Sequence, residues 1–228
     1  MRSERIGYST LCLCDCMDLM AAMPDKSIDL AIVDPPYGIG ESKADFNSRN
    51  RPCEKWKNPK PSLYTKKQWD IKPDKTFFDL LLQKSKNQII FGANHFISLI
   101  PYDSPCWIVW NKKTGDNDFA DCELAWTSFR SAVRMFEWLW SWFKKQKPED
   151  RIHPTQKPVA LYKWLLSKYA KPGWKILDTH FGSGSIAVAC NEMGFELTAS
   201  EIDEDYYNAA IKRIKDANRQ GDLFRDIA

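Results

Sequence analysis

The stretch Ile28-Asp29-Leu30-Ala31-Ile32-Val33-Asp34-Pro35-Pro36-Tyr37 carries an apolar run, broken only by Asp29, straight into a carboxylate, two prolines and an aromatic ring. A short apolar run of this kind predicts a buried strand. Proline cannot donate to a ladder of backbone hydrogen bonds, so the strand is expected to end at Val33. The sequence therefore predicts that Asp34, Pro35, Pro36 and Tyr37, here called the acidic block, are delivered together at the end of one strand.

The residues around this run predict a β-α-β unit at each end of the chain. Residues 10–14 are typical of a short strand, and residues 16–23 of a helix that Pro24 ends. The second unit comprises a strand over 175–177, a glycine-containing turn over 178–184, a helix over 185–193 and a strand over 196–200 that ends at Glu201.

Sheet and helix patterns alternate between these units, and Asp203 is suited to cap a last helix. The intermediate elements are strands over 88–92, 106–110, 124–129 and 135–143, and helices over 76–84 and 159–169. With 228 residues and 43% apolar content, the chain is expected to form a single domain over residues 1–228. The predicted fold class is α/β, a doubly wound and mostly parallel sheet with an antiparallel edge.

The overall composition argues against several classes of protein. The formal net charge of +3 does not by itself point to nucleic acid. Seven cysteines are an odd number, and Cys12, Cys14 and Cys16 lack the spacing that zinc sites favour, so we expect reduced thiols, no metal and a cytoplasmic setting. Because no apolar stretch approaches the length of a membrane span, neither secretion nor membrane insertion is expected.

Most of the basic excess lies in one segment without periodicity, residues 41–75, which reads as a long loop or small lobe. Ten basic side chains there oppose five acidic ones. The segment is either a solvated flap or a surface that contacts phosphates. In the second case, lysines after residue 138 would add further phosphate contacts. The side chains predicted to contact DNA are Lys43, Arg49, Arg51, Lys55, Lys57, Lys66, Lys67, Lys144 and Lys145.

A glycine turn near the second unit predicts a ligand site. Gly182, Ser183 and Gly184 allow close backbone approach and present amide groups at a helix start, and Glu201 lies 23 residues beyond Asp178. A carboxylate at that distance is typical of ribose binding, although nicotinamide enzymes share the pattern and glycine also starts helices for packing reasons. Nothing in hydride transfer demands the acidic block, however, and the two features together point to methyl transfer.

At this point the chain resembles the S-adenosylmethionine-dependent DNA amino-methyltransferases, in the permuted group where the acidic block precedes the cofactor-binding block. The resemblance spans most of the chain and follows the family's order. It rests on Asp15 between two cysteines, the acidic block, Phe91-Gly92-Ala93-Asn94-His95-Phe96, residues 153–158 (His-Pro-Thr-Gln-Lys-Pro) and the turn over 178–184.

The resemblance implies a site-specific DNA methyltransferase of bacterial or phage type that acts on the N6 amine of a flipped adenine in double-stranded DNA. Asp34 and the carbonyl of Pro35 would accept the two amine hydrogens and localise the nitrogen lone pair, while the prolines fix both acceptors. Tyr37 would stack on the extruded base, and direct displacement needs neither a metal nor a covalent intermediate.

The resemblance also assigns the cofactor contacts. Asp178 and the turn from Phe181 through Gly182 and Ser183 to Gly184 would serve the methionine side, Glu201 with Ile202 the ribose, and Asp15 with Cys16 the adenine edge. Lys157 would reach the cofactor carboxylate, and Asp34 counts among the cofactor-binding residues as well as the catalytic ones. The family commonly has an aromatic residue where this chain has His180, with Phe181 next to it, so either ring is a candidate for packing on the cofactor.

Several alternatives stay open at this stage. Cytosine-N4 enzymes share the geometry but commonly carry Ser at the position of Asp34, which favours adenine. RNA or protein amines are a further substrate class. The enzymes that act on them commonly have Asn at the position of Asp34. Other classes are a non-catalytic DNA-binding module that senses S-adenosylmethionine and a nicotinamide oxidoreductase, which would bind NAD instead.

Individual residues also have structural interpretations. His95 and His153 are expected to make structural hydrogen bonds, and Asp15 to cap the helix that follows it, with or without a ligand role. Trp138, Trp140 and Trp142 alternate and predict one face of a packed outer strand, a homodimer contact or a base-stacking surface.

Overall fold

The protein folds around one mixed sheet. The computed structural model describes residues 2–39, 70–113, 120–139 and 152–225. The strands are β1 (Arg2–Ile6), β2 (Ser9–Leu13), β3 (Ile28–Val33), β4 (Ser85–Phe91), β5 (Trp107–Asn111), β6 (Cys122–Thr127), β7 (Arg134–Glu137), β8 (Lys175–Asp178) and β9 (Glu196–Glu201). The helices are α1 (Cys16–Ala21), α2 (Lys75–Lys84), α3 (Val159–Tyr169), α4 (Ser185–Met193) and α5 (Glu204–Arg225).

The sheet order is β1-β2-β9-β8-β3-β4-β6-β5-β7. The five strands from β2 to β4 in this order are parallel neighbours, while β1 pairs antiparallel with β2 at one edge and β6 pairs antiparallel with both β4 and β5. The prediction of a mostly parallel α/β sheet with an antiparallel edge is confirmed.

Strand β3 shows why the apolar run decides the fold. It lies between β8 and β4, and Leu30, Ala31, Ile32 and Val33 are at most 1% exposed. Leu30 and Ile32 pack into the apolar cluster that includes α3, α4 and α5, whereas Ala31 and Val33 pack into the cluster on the opposite face, with α1 and α2. Because side chains alternate between the two faces of a strand, helices on both faces require a continuous apolar run.

Aspartate side chains start three of the helices. Asp15 accepts a hydrogen bond from the Met17 amide at 2.7 Å, as the capping interpretation predicted. Asp74 and Asp203 make the same kind of contact with amides in the first turns of α2 and α5. These bonds satisfy amide groups that have no partner within the helix.

The main departure from the sequence expectations is β1, a strand that the charged residues 2–6 did not indicate. Edge strands commonly carry charged side chains, because one side of the ladder faces water, and this hides the alternation that marks a strand. At the other edge, β7 ends at Glu137, so the predicted strand over 135–143 is wrong in its bounds. The Trp138 ring stacks on Phe136 with centroids 6.0 Å apart, whereas Trp140 and Trp142 lie outside the described residues.

Asn191 in α4 joins the β1–β2 turn to the two C-terminal helices, and its loss should destabilise the fold. Its Oδ1 accepts from the Tyr8 amide and the Ser9 hydroxyl, both at 2.9 Å, and its Nδ2 donates to Asn218. Asn191→Ala leaves the buried Ser9 hydroxyl and the partly buried Tyr8 amide without this acceptor, so we expect a loss of about 1–3 kcal/mol in the free energy of unfolding measured in urea.

Asn208→Ala is the matched control for this prediction. Asn208 is exposed and accepts from Arg2 at 3.1 Å, so its removal should change the free energy of unfolding by less than about 0.5 kcal/mol. Equal losses in the two variants would contradict the role given to Asn191.

Candidate active site

A cavity of about 430 Å³ opens at the carboxyl ends of β3, β8 and β9. The acidic block lines one side of it and the turn from Thr179 to Ser183 lines the other. Residues separated by more than 140 positions along the chain therefore converge, as the order of parallel strands predicted. The predicted site residues that line it are Asp15, Cys16, Asp34, Pro35, Pro36, Tyr37, Lys157, His180, Phe181, Gly182, Ser183, Glu201 and Ile202.

Two donors hold the two oxygens of the Asp34 carboxylate. The Tyr37 hydroxyl donates to Oδ1 at 2.6 Å, and the Lys157 ammonium forms an ion pair with Oδ2. Burial, and then the charge of Asp34, raise the pKa of Tyr37 well above its usual value, so its hydroxyl stays protonated and donates. Asp34 is therefore fixed in orientation at the end of β3.

Lys157 lies in a buried row of alternating charges. Its side chain is 3% exposed, and its ammonium is also 3.1 Å from Glu123 Oε2. Glu123 in turn pairs with Lys112 at 2.6 Å. Although burial favours the neutral forms, the opposite charges outweigh it. They raise the pKa of Lys157 and lower the pKa of Glu123 to about 2, so both groups are ionised.

The Tyr37 ring is held by the segment that follows β4. It stacks on His95 with centroids 5.0 Å apart and an interplanar angle of 16°, and meets Phe96 edge-on at 6.0 Å. Gly92 has a φ of +65°, and a Cβ at this position would lie 2.0 Å from the ring. Only glycine leaves room here, which explains this part of the motif. His95 therefore makes a ring contact with Tyr37, and the hydrogen-bonding role predicted for it stays a prediction.

The glycine turn is built around Glu201. The Gly182 amide donates to Glu201 Oε2 at 3.1 Å, and the Asp203 amide donates to Oε1 at 2.9 Å. Gly182 adopts a φ of +49°, which glycine reaches without strain. From α5, Arg213 donates to the Ser183 carbonyl at 2.8 Å. The carboxylate is therefore positioned at the cavity wall with lone pairs to spare.

Two residues expected at the ligand lie behind the cavity wall instead. Asp178 is 1% exposed, accepts from the His180 amide at 3.0 Å and does not line the cavity. Burial, together with the nearby charges of Asp34 and Glu201, raises its pKa to about 8. Gly184, with a φ of +74°, faces α5, where an added Cβ would lie 2.7 Å from Ile214. The contacts predicted for both residues remain predictions.

A histidine and a cysteine form the far end of the cavity. Cys16 Sγ lies 3.8 Å from His180 Nε2, and burial lowers the pKa of His180 to about 4, so the ring is neutral near pH 7. Burial also raises the pKa of Cys16 to about 12, which makes it an unreactive thiol. Phe181 is more buried and turns its ring towards Tyr207 in α5. Of the two candidate rings, His180 is the more exposed.

The sequence interpretation missed several side chains that line the cavity. His153 packs its ring edge-on against Tyr206 at 4.2 Å and bonds through Nδ1 to Thr155, so the structural role predicted for it is present at the cavity itself. Tyr162 in α3 also lines it. Residues 153–158 carried the resemblance as a motif, and this was the available signal, although only Lys157 was given a contact with the cofactor.

Other expectations concern parts of the molecule beyond the cavity. Every side chain predicted to contact DNA lies outside the described residues, as do residues 41–69 of the lobe predicted over 41–75. Within the described part of the chain, no group of three or more His, Cys, Asp or Glu side chains is arranged to hold a metal. No helix among the same residues is long and apolar enough to cross a bilayer.

The sequence is similar to those of known proteins. Residues 120–212 match a family described as DNA methylase, N6_N4_Mtase. Over 217 residues, 90% of this chain and 89% of the other, the sequence is 24% identical to a protein of Escherichia coli K12 named "Putative methylase YubD".

Solved structures of low identity share the fold. The structure of M1.HpyAVI in complex with SAM superposes with a TM-score of 0.56 at 18% identity, covering 90% of this chain and 99% of that one. PvuII DNA methyltransferase, described as cytosine-N4-specific, gives a TM-score of 0.58 at 11% identity, covering 93% and 92%. The family match confirms the resemblance found in the sequence, and the structures confirm the predicted fold.

The buried Asp178 should make stability fall as pH rises. Its pKa is about 8 in the folded protein and about 3.9 in an unfolded chain, so between these values the folded state retains a proton that the unfolded state has lost. Asp178→Asn removes this titration. Its stability relative to the parent protein should rise by up to about 1.4 kcal/mol per pH unit, in urea unfolding between about pH 5.5 and 7.5.

Asp74→Asn provides the comparison. The hydrogen bond from Thr76 lowers the pKa of Asp74, so this exposed carboxyl has finished titrating below the same pH window. Its effect on stability should therefore be constant there. A constant offset for Asp178→Asn as well would show that Asp178 is not protonated in the folded protein.

Proposed function

We propose, on the premise that this chain belongs to the N6/N4 family of S-adenosylmethionine-dependent DNA methylases, that it methylates the N6 amine of an adenine flipped out of double-stranded DNA. The observation that carries the proposal is the convergence of the acidic block and the glycine turn on one cavity. One group of residues is suited to hold the methyl donor, and the other to activate an amine beside it.

The cavity fits S-adenosylmethionine by size and by chemistry. A volume of about 430 Å³ lies within the usual range for cofactor sites. Glu201 offers a carboxylate suited to ribose hydroxyls, and Asp15, Cys16 and His180 offer polar groups and a ring for the adenine. When bound, the cofactor supplies a methyl group on a sulfonium, whose carbon a nucleophilic nitrogen can attack while the C–S bond breaks and the neutral thioether leaves.

The acidic block then activates the target amine. Each oxygen of Asp34 has two lone pairs, so the carboxylate can accept an amine hydrogen while it retains Tyr37 and Lys157. The Pro35 carbonyl supplies a second acceptor on a rigid backbone. As the nitrogen lone pair forms the bond to the methyl carbon, the amine loses a proton, and Asp34 is placed to accept it.

Adenine is the proposed target because position 34 is an aspartate, whereas the cytosine-N4 enzymes commonly have Ser there. Methylation of cytosine at N4 is the second candidate, since a cytosine-N4-specific enzyme shares the fold. A non-catalytic module that senses S-adenosylmethionine is the third, and it predicts cofactor binding without methyl transfer.

We further propose how the protein meets its substrate. The basic side chains between Lys43 and Lys67, with Lys144 and Lys145, would contact phosphates, and a second copy of the chain is one way to complete the grip. The setting that fits such an enzyme is the cytoplasm of a bacterium or of a phage-infected cell, either with a restriction enzyme or without one.

Asp34→Asn should slow methylation strongly without loss of cofactor binding. Asparagine keeps the size of the side chain but removes the charge that attracts the amine hydrogen, so we expect kcat to fall by about 10²- to 10⁴-fold. Mass spectrometry of nucleosides from treated DNA measures the product, and calorimetry measures cofactor binding. Asp79→Asn, at an exposed position on α2, should retain full activity.

The same nucleoside analysis separates the candidate functions. N6-methyladenine from the parent protein supports the proposal, and N4-methylcytosine alone would replace adenine by cytosine as the target. Cofactor binding without any methylated base favours the sensing module. Unchanged activity in Asp34→Asn would refute the catalytic role of the acidic block.

Charge reversal in the basic segment should weaken DNA binding. Lys66→Glu with Lys67→Glu removes two proposed phosphate contacts, so the affinity should drop and the slope of log K against log salt should flatten by about 2. The matched control is Lys86→Glu with Lys175→Glu, which changes the same charge at the amino ends of β4 and β8, away from the cavity. Equal effects of the two pairs on affinity and slope would indicate only a response to net charge.

A further inference from the structure

Glu123 is a charged side chain in the interior with no place in the activity described so far. It lies in β6, two strands away from β3, and does not line the cavity. Its side chain is 21% exposed, and it faces Lys112 at 2.6 Å and Lys157 at 3.1 Å. Burying a carboxylate costs free energy even when it is paired, so an apolar residue at this position would often be at least as stable.

The contacts of Lys157 connect Glu123 to the candidate site. The Lys157 carbonyl accepts from the Ser185 hydroxyl at 2.7 Å, which fixes the backbone at this point. The side chain then crosses the end of β4, with its ammonium 4.8 Å from the centre of the Phe91 ring. There the ammonium contacts both Asp34 and Glu123.

A lysine side chain has four rotatable bonds and a compact charge, so one ion pair leaves its ammonium free to swing about that partner. A second carboxylate in contact restricts it to positions that satisfy both partners. Lys112 compensates the negative charge of Glu123. The two lysines and the two carboxylates, including Asp34, are therefore neutral as a group.

We propose that Glu123 is a positioning residue for methyl transfer, which holds the Lys157 ammonium against Asp34 and thereby keeps the acceptor carboxylate aimed at the target amine. The inference rests on the proposed function, because it concerns the same Asp34. Glu123 does not touch the substrate or the cofactor, and it acts only through Lys157. Its removal should therefore affect the chemical step more than the binding of either substrate.

The test is a double-mutant cycle on the full chain, with S-adenosylmethionine and DNA as substrates. In Glu123→Gln, kcat should fall by about 10- to 100-fold, while the KM for DNA and the calorimetric affinity for S-adenosylmethionine stay within about 3-fold. Lys157→Met should also lower kcat. Adding Glu123→Gln to Lys157→Met should cause little further loss, because the path through Lys157 is already broken.

Two further variants distinguish a loss of catalysis from a loss of folding. Glu123→Gln combined with Lys112→Gln removes both charges of one pair, so the variant stays balanced and should show the same loss of kcat. Glu137→Gln on β7 is the matched control, because Glu137 is half exposed and pairs with Lys113 at 2.8 Å. This control should keep the kcat of the parent protein, and thermal unfolding should show that all variants are folded.

The outcomes separate this inference from the proposed function. If the parent protein methylates no DNA, the proposed function fails. If the parent protein is active and Glu123→Gln keeps its kcat, Glu123 is structural and the inference fails. Independent losses that multiply in the double variant would also overturn it, because they would show that Glu123 does not act through Lys157.

Discussion

The parallel pairing of β3 with β8 is the contact on which the rest of the molecule depends. Leu30 lies beside Ile176 and Ala31 beside Leu177, which joins a strand from the first β-α-β unit to a strand from the second. Because the two strands run in the same direction, their carboxyl ends reach the same edge of the sheet. The acidic block and the glycine turn follow those ends directly. Without this pairing, the acidic block and the glycine turn would not lie side by side.

The candidate site is organised around charges that the fold takes out of water. Lys112, Glu123, Lys157 and Asp34 alternate in sign, and each buried charge has an opposite neighbour. Charges in such an interior are tolerated only when they are paired. Asp178 lies near two other carboxyls and has no such cation at contact distance among the described ion pairs, and its raised pKa is the consequence. The same physics therefore holds Asp34 in position and favours a protonated Asp178.

Agreement between sequence and structure was closest where apolar periodicity was strong. The strand over residues 28–33 and the helices over 159–169 and 185–193 have the predicted bounds. Agreement was poorest at the edges of the sheet, at β1 and β7, where one side of the strand meets water and exposed charged residues interrupt the pattern. An edge strand forms by pairing with a neighbouring strand, and the local sequence does not show which strand that is.

For the site, the sequence by itself determined the chemical groups: the acidic block, the glycine turn and Glu201 are short motifs whose meaning depends on residues close together in the chain. Only the tertiary structure decided their partners. It placed Lys157 on Asp34, brought Glu123 from another strand to the same ammonium, and set Asp178 and Gly184 behind the cavity wall. The physical reason is that a backbone motif is a local property, whereas the burial and charge pairing of a side chain depend on segments far away in the sequence.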